Sequence, residues 1–342
     1  MHLYYGSDMK ICIDIMEKEY EPFNDVWYQN CFFHGLAQIA YNYGLLPNLF
    51  ENDYFNYSFG YKDGLPVISF DILKFRPWHT VFEENGVYVS WVESDDSLLD
   101  EIRRRLDAGE DIMLPVDSFY ENIREDAFGK FHLFHYFVIY GYDNENEEFL
   151  LLEHNYENDL NYKKTRIGFA SALTAHKAYP EIQGTDKAQF LTFKKNGVSV
   201  AKESDKVDMH KGLPSFFDSI CALEEFIAEF DKVKDAFSNE DKRLSTVDFY
   251  RHIFGMVFSS KKYQSYFCQN LFDKYGMGGL EDFSGIENCN NWGILMGMLA
   301  RCKFTRKVPS DIFERLQRIL QKIIAREKEY KEVYESLYGK RA

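Results

Sequence analysis

One stretch, residues 131–156, constrains the fold of this chain more than any other. It reads FHLFHYFVIYGYDNENEEFLLLEHNY and contains two apolar runs, at 135–142 and 149–152. The segment between the runs is short, polar and rich in the turn formers Asp and Asn, and the first run holds aromatic and β-branched residues. The pattern predicts an antiparallel hairpin, and therefore a β-sheet in this half of the chain.

Polar residues stand at the end of the hairpin where its two strands meet. His135 opens the first run, and Glu153, His154 and Asn155 follow the second. Because antiparallel neighbours fold back on each other, the start of one strand lies beside the end of the next. We therefore expect the His135 ring to meet a carboxylate or an amide, which orients a histidine for base chemistry. Glu153 and Asn155 share a face, so either of them could orient the ring.

A cysteine near the start of the chain is a candidate nucleophile. Apolar residues recur with helical spacing over residues 31–45, with Asn30 placed as the N-cap and Gly44 at the end. Cys31 would then lie in the first helical turn, where unpaired backbone N–H groups and the helix dipole favour a thiolate. The structural alternative is a small core residue. His34, one turn further on, is either a pocket residue or a packing residue.

A cysteine at a helix start, followed about a hundred residues later by a histidine that opens a strand and then by an acid or amide, is typical of a papain-like site. The thiolate attacks an acyl carbonyl, the imidazolium protonates the leaving group, and the third group holds the ring. Gln29, Asn30 and the backbone N–H of Cys31 are candidate oxyanion donors, and the sequence does not choose among them.

Two further histidines lie near His135. His132 is three residues away, so extended backbone would place the two rings on opposite faces of the sheet. The uninterrupted apolar strand begins directly after His135, which favours His135 as the base. The same alternation argues against a zinc site formed by His132, His135 and His154.

The chain suits two domains. It has 342 residues, of which 45% are hydrophobic. Residues 196–213 are polar and aperiodic, so we expect a papain-like domain at 1–200 with an α+β layout and an all-helical domain at 210–342. Strands are predicted at 9–15, 66–70, 86–91, 112–117 and 189–193, the fourth at an edge or bulge because of Pro115; helices are predicted at 95–108, 171–179, 216–237, 245–275, 292–302 and 310–337.

Charge and cysteine usage narrow the class of protein. The net charge of −15 argues against nucleic acid as a partner and favours neutral or cationic small substrates. The six cysteines are scattered without a Cys-x-x-Cys pair, and neither a signal peptide nor an apolar run of membrane-spanning length is evident. A cytoplasmic protein with reduced thiols and no membrane association is expected. Basic residues at 301–326 form either a solvated helix face or a docking surface for an acidic partner.

Three segments together carry a family resemblance. They are NCFFHGLAQIAYNYG at 30–44, LPVDSFY at 114–120 and FHLFHYFVIYGYD at 131–143. They resemble the N-terminal domain of the butirosin biosynthesis protein H family, which is similar to papain and to C39 peptidases and contains acyltransferases. The resemblance covers about residues 20–195. The chain also resembles the papain-like enzyme of closthioamide assembly, which forms amides from carrier-bound acyl chains and a diamine.

The resemblance implies a role for individual residues. Cys31 would be the acylated nucleophile and His135 the base, and the third position, commonly Asp in the family, falls on Glu153. Asp117 and Tyr120 match the family's VD-x-x-Y segment and would line the substrate pocket, with a structural turn as the alternative. The chain departs from papain-like enzymes where they carry a glutamine before the cysteine. That position is Asp25 here, so the oxyanion donor would have to come from Gln29 or Asn30.

We therefore expect a cysteine acyltransferase of secondary-metabolite biosynthesis that forms amides. An acyl group would move from the thioester of an acyl or peptidyl carrier protein through Cys31 to an amine such as a diamine or aminoglycoside. No metal is expected, and no cofactor except the phosphopantetheine arm that the carrier protein brings. The alternatives are a cysteine peptidase or amidase that uses the same site, and a non-catalytic binding module with a papain-like fold.

Overall fold

The structure is a computed structural model that describes residues 15–154, 161–196, 209–275 and 285–338. In chain order the elements are β1 (Ile15–Glu17), α1 (Cys31–Asn42), α2 (Leu46–Phe50), β2 (Asp53–Lys62), β3 (Leu65–Lys74), α3 (Trp78–Glu84), β4 (Val87–Glu93), α4 (Leu98–Asp107), β5 (Asp111–Asp117), β6 (Phe134–Asp143), β7 (Glu148–His154), β8 (Tyr162–Gly168), α5 (Phe169–Gln183), β9 (Gln189–Lys195), α6 (Met209–Asp218), α7 (Ile220–Phe230), α8 (Lys234–Ser238), α9 (Glu240–Tyr275), α10 (Ile286–Thr305) and α11 (Ile312–Tyr338). The fold is a mixed α and β structure with a helical C-terminal region.

Contacts between residues divide the chain into two units. The first contains residues 1–25, 30–46 and 82–201, and the second contains 26–29, 47–81 and 202–342. The division near residue 200 agrees with the expected boundary, but residues 47–81 group with the helical region rather than with the first unit. The reason is the hairpin of β2 and β3, on which α6, α7 and α9 pack. The second unit is therefore not all-helical.

The first unit is built on one antiparallel sheet with strand order β4-β9-β5-β6-β7-β8, and β1 also pairs with β6. The predicted hairpin is confirmed: β6 and β7 are antiparallel, with Val138 opposite Leu152. The ladder between these two strands ends at that pair, whereas β7 and β8 remain paired as far as His154 and Tyr162. The polar end of the hairpin thus lies where β6 and β7 are no longer paired.

Helices cover both faces of this sheet. Alternate residues of β5 and β6, including Leu114, Phe137 and Ile139, pack with α4 and α5 in one apolar core. The residues between them face α1: Tyr136 contacts Phe32 with ring centroids 5.2 Å apart, and a Cβ on Gly35 would meet Met113 and Val138. Cys31 therefore begins the helix that covers the face opposite α5.

Pro115 lies inside the sheet rather than at an edge strand, because β5 is flanked by β9 and β6. The expected edge position is wrong for the strand as a whole. However, β9 pairs only with residues 111–113 of β5, so at Pro115 the strand has a paired neighbour only on the β6 side. A missing N–H is tolerated there because no ladder continues on the other side.

In the described part of the chain, no helix combines the length and the apolar character needed to cross a bilayer.

Candidate active site in the first unit

Cys31 is the first residue of α1, as expected. Asn30 is extended, and its side-chain Oδ1 accepts a hydrogen bond from the Phe33 N–H at 3.1 Å, which confirms it as the N-cap. Its carbonyl also accepts the His34 N–H at 2.8 Å. The cysteine is partly exposed. The thiol thus lies at the positive end of a helix dipole, in a position open to a reagent.

The pKa values of two buried tyrosines are raised in part by the negative charge of Cys31. Burial raises the pKa of the Tyr136 phenol, and the negative charge of Cys31 raises it further. Burial also raises the pKa of Tyr162, followed by the charges of Glu153 and then of Cys31. Tyr162 therefore lies within electrostatic reach of both Cys31 and Glu153. Its Oη is buried and has no hydrogen-bond partner among the residues that the structure describes.

His135 meets a carboxylate at the end of the hairpin, as the sequence predicts. Its Nε2 lies 2.9 Å from Oε1 and 3.1 Å from Oε2 of Glu153, and both side chains are nearly inaccessible to solvent. Oε1 also accepts the backbone N–H of His154 at 2.7 Å. Because a carboxylate accepts, Nε2 is the nitrogen that carries the hydrogen in this pair. Asn155, the other candidate for orienting the ring, lies outside the described residues.

His154 contacts both His135 and the α1 side of the sheet. Its ring centroid is 5.2 Å from that of His135, 4.3 Å from that of Tyr162 and 6.3 Å from that of His34 on α1. Alternation along β6 places His135 on the α5 face, with Phe137. His154 and Tyr162, at the unpaired end of the hairpin, therefore lie between α1 and the His135 ring. Direct contact between the Cys31 sulfur and the His135 ring stays a prediction.

His34 is buried and makes a polar contact inside the first unit. Its Nε2 lies 3.0 Å from Nε2 of Gln38. The Gln38 amide also donates from Nε2 to the Phe23 carbonyl oxygen and accepts the Phe23 N–H at Oε1. An amide nitrogen donates, so Nε2 of His34 accepts. Burial lowers the pKa of His34 to about 3, which keeps the ring neutral near neutral pH. His34 is therefore a poor general base, and its contacts agree with a packing role next to the site.

A second buried carboxyl stands behind the His135–Glu153 pair. Glu121 is fully buried, its Oε2 accepts from Ser118 Oγ at 2.8 Å, and its carboxyl also shares a hydrogen bond with Glu153. Burial, and then the charge of Glu153, raise the pKa of Glu121 to about 8. Sequence reasoning missed this residue because Glu121 and Glu153 belong to segments far apart in the chain, and no local periodicity marks either as a partner of the other.

Asp117 and Tyr120 belong to a turn that is held by Asp117. The Asp117 carboxylate accepts from the N–H of Phe119 at 3.0 Å and of Leu133 at 3.3 Å, and it lies 2.6 Å from Nδ1 of His132. Tyr120 is partly buried beside the ring of Phe119. These contacts fit the structural alternative for both residues. They also confirm that His132 and His135 serve different carboxylates, as alternation requires.

Gln29 belongs to the second unit, whereas Cys31 belongs to the first. Its backbone has a positive φ of 56°, and its side chain lines a groove of about 870 Å³ within the second unit. Its Nε2 is buried without a partner among the described residues. An oxyanion role for Gln29 or Asn30 stays a prediction, since the Asn30 oxygen is already used by the helix cap.

The residues that could hold a metal ion differ from the set considered on sequence. His132 is bonded to Asp117, so His132, His135 and His154 do not form one cluster. However, donor atoms of His135, Glu153 and His154 lie within 4.8 Å of one another. His135 and His154 meet because β6 and β7 are no longer paired at that end of the hairpin.

Comparison with protein families and with curated proteins finds no relative of this chain. No family model matches the chain, and a search of curated proteins finds no match.

Proposed function

We propose that the chain is a cysteine-dependent acyltransferase that moves an acyl group from a carrier-protein thioester onto Cys31 and then to an amine, forming an amide. The observation that carries this proposal is the buried His135–Glu153 pair, which lies in the same unit as the helix that Cys31 begins. A histidine held by a carboxylate is poised to exchange protons with a nucleophile and a leaving group.

Each residue has a defined task in the proposed reaction. The Cys31 thiolate attacks the thioester carbonyl, the bond to the phosphopantetheine sulfur breaks, and His135 protonates that sulfur. An amine then attacks the acyl-cysteine and gives a proton to His135, while the carbon–sulfur bond to Cys31 breaks. Glu153 accepts the Nε2 hydrogen throughout, so Nδ1 would be the nitrogen that takes up and releases the catalytic proton. Aminolysis of a thioester runs downhill, so the reaction requires no nucleotide.

Three cysteines of the helical region lie in surroundings that disfavour a thiolate. Burial raises the pKa of Cys268 to about 12 and also raises the pKa of Cys289 and Cys302. These thiols remain protonated at neutral pH and are weak nucleophiles. Cys221 is exposed, and its Sγ contacts a backbone carbonyl rather than a histidine. Cys12 lies outside the described residues.

The base and its carboxylate are shielded from bulk water. His135, Glu153 and Tyr162 are each at most 3% exposed. The low dielectric of such surroundings strengthens the interaction between the imidazolium and its carboxylate. Cys31 itself is partly exposed, so this shielding concerns the base and not the acyl-enzyme.

A basic surface in the second unit supports an acidic carrier protein as the acyl donor. Phe304, near the end of α10, is 86% exposed, and Arg301, Arg306 and Lys307, which are close to it in the sequence, are also exposed. Lys303 is exposed as well, but it is paired with Asp248 at 2.7 Å. This basic segment contrasts with the net charge of −15 of the whole chain. Such a surface provides an apolar anchor and attracts an acidic partner.

The first experiment looks for the acyl-enzyme. The protein is incubated with an acyl-loaded carrier protein, without amine, and its intact mass is measured. We expect one acyl increment that Cys31→Ala abolishes and that Cys221→Ala, the exposed control, retains. Addition of a diamine should release an amide, whereas release of free acid would identify a hydrolase. No increment, or one that persists in Cys31→Ala, contradicts the proposal.

The second experiment identifies the base. The rate of Cys31 alkylation by iodoacetamide is measured against pH in the wild type and in His135→Gln, His154→Gln and His132→Gln. We expect His135→Gln to slow alkylation at neutral pH, because the thiolate loses its imidazolium partner, and His132→Gln to match the wild type. A loss confined to His154→Gln would make His154 the base and refute the role of His135.

The third experiment tests the carrier surface. Phe304→Ala and Arg306→Glu should each raise the KM for an acyl-carrier protein several-fold, because they remove the anchor or reverse a charge. They should leave the rate with a small acyl thioester unchanged, since that substrate does not need the surface. Glu332→Lys, a charge change elsewhere in the helical region, serves as the control. Unchanged KM in both surface variants would exclude this surface as the docking site.

A further inference from the structure

We propose that His135, Glu153 and His154 form a binding site for one divalent transition-metal ion of the zinc class, and that occupation of this site blocks the base. Binding itself does not depend on the acyltransferase proposal. Only the inhibitory consequence rests on that function.

The donor atoms have the chemistry and spacing that such an ion requires. Two imidazole nitrogens and a carboxylate oxygen lie within 4.8 Å of one another, and His135 Nε2 is already 2.9 Å from Glu153 Oε1. Atoms bound tetrahedrally to Zn²⁺ at about 2.0–2.1 Å are about 3.3 Å apart. Small side-chain rotations would therefore bring the three donors to bonding distance. Two histidines and one glutamate are also a ligand set known for zinc sites that keep an open position.

The backbone holds the three donors in place before any ion binds. Glu153 and His154 end β7, which remains paired with β8 up to His154 opposite Tyr162. His135 is paired with Val116 at the start of β6. Since the donors sit on paired strands, binding would order few additional groups, which reduces its entropic cost.

A buried polar atom next to the three donors lacks a partner. Tyr162, whose ring centroid is 4.3 Å from that of His154, has a buried Oη without a hydrogen-bond partner among the described residues. An unpaired buried hydroxyl is costly, and its position beside the cluster indicates a missing polar occupant. A metal ion with a bound water would supply a hydrogen-bond partner for it.

The ion would compete directly with the base function. Bonding through Nε2 requires that this nitrogen lose its hydrogen, and it takes the Glu153 carboxylate away from the ring. His135 could then no longer form the imidazolium that protonates a leaving group. Metal occupation would therefore slow acylation of Cys31 without occupying Cys31 itself.

The test uses the full-length, tag-free protein and Zn²⁺ alone. Isothermal titration should show one ion bound per chain, with saturation at micromolar concentrations. His154→Ala should weaken binding at least tenfold because it removes a ligand, whereas His132→Ala, which removes a histidine bonded to Asp117, should leave the affinity within twofold. The absence of saturable binding, or equal affinity in His154→Ala and the wild type, would refute the site.

Cobalt provides a readout that needs no variant. Co²⁺ bound to two histidines and a glutamate gives visible absorption bands without the near-ultraviolet band of a cobalt–thiolate bond. We expect visible bands that Zn²⁺ removes by displacement. A thiolate band would place the ion on a cysteine and overturn the proposal, even if His154→Ala failed to fold. In the same preparation Zn²⁺ should slow acyl loading of Cys31. Acyl loading without metal tests the enzyme separately, so the two proposals can fail independently.

Discussion

Acid should destabilise the first unit through His176, a buried histidine of α5. Its Nδ1 lies 2.8 Å from the Pro115 carbonyl oxygen and its Nε2 lies 2.6 Å from Ser94 Oγ. A carbonyl only accepts, so Nδ1 donates and the neutral ring accepts from the serine at Nε2. Burial lowers the pKa of His176 from 6.5 to about 4, although the bond to the Pro115 carbonyl opposes the shift.

The size and sign of the effect follow from these two pKa values. The unfolded chain binds a proton at His176 below pH 6.5, and the folded protein does so only below about pH 4. The contribution of the neutral, buried His176 ring to the free energy of unfolding is therefore complete above pH 6.5. It is lost as the pH falls towards 4. Between pH 7 and pH 5 this one residue should lower the free energy of unfolding by about 2 kcal/mol.

Other buried groups titrate in the same interval, so the wild-type curve alone is not informative. His34, with its pKa lowered to about 3, adds a loss of the same sign. Glu121, with its pKa raised to about 8, opposes the loss, because the folded protein keeps a proton that the unfolded chain releases. A comparison with a variant that differs only at His176 isolates the contribution of that residue.

The assay is urea unfolding of the wild type and His176→Asn at pH 5, 6 and 7. Asparagine does not titrate and can still donate to the Pro115 carbonyl. The wild type should be the more stable protein at pH 7, and this advantage should shrink by about 2 kcal/mol at pH 5. Parallel stability curves for His176→Asn and the wild type would refute the argument.

Three further predictions follow from the described contacts. Iodoacetamide should label Cys31 much faster than Cys268, whose pKa is raised by burial, and equal rates by peptide mass mapping would contradict the assignment of Cys31 as the reactive thiol. Glu121→Gln should gain stability relative to the wild type as pH rises from 5 to 8, because only the wild type must bury an ionising carboxyl; urea curves that stay parallel would refute this. Gly141→Ala should lower the free energy of unfolding by at least about 2 kcal/mol and lower the thermal midpoint, since the new Cβ would collide with the Met16 carbonyl oxygen of β1. An unchanged midpoint in circular dichroism would show that β1 moves to accommodate the added methyl group.

The local features of the fold were predictable because their signals are local. The helix that Cys31 begins, its Asn30 cap and the β6–β7 hairpin all depend on residue spacing and turn chemistry within one segment. The meeting of His135 with Glu153 also follows from hairpin geometry, since the two residues are only 18 positions apart. These parts of the candidate site could be derived without any knowledge of tertiary structure.

Other features depend on contacts between distant segments. β2 was missed although buried Asp53, Phe55 and Tyr57 alternate with less buried residues, a period-two pattern that could have revealed the strand. The grouping of this hairpin with helices encoded far downstream has no local signal. Glu121 was missed for the same reason. The meeting of His154 with His135 was also missed, because alternation within a strand does not describe the end of the hairpin, where the ladder stops at Leu152.

The discontinuous second unit has a consequence for how the chain can fold during synthesis. The β2–β3 hairpin carries buried Phe55, Tyr57, Ile68 and Phe70, but its covering helices α6, α7 and α9 begin after residue 208. During synthesis, well over a hundred further residues must be added after the hairpin before the helices that pack on its apolar surface have been made. A nascent chain that stalls before α6 would expose the apolar surface of this hairpin to solvent. We expect chaperones to bind residues 53–74 until α6, α7 and α9 have been synthesised.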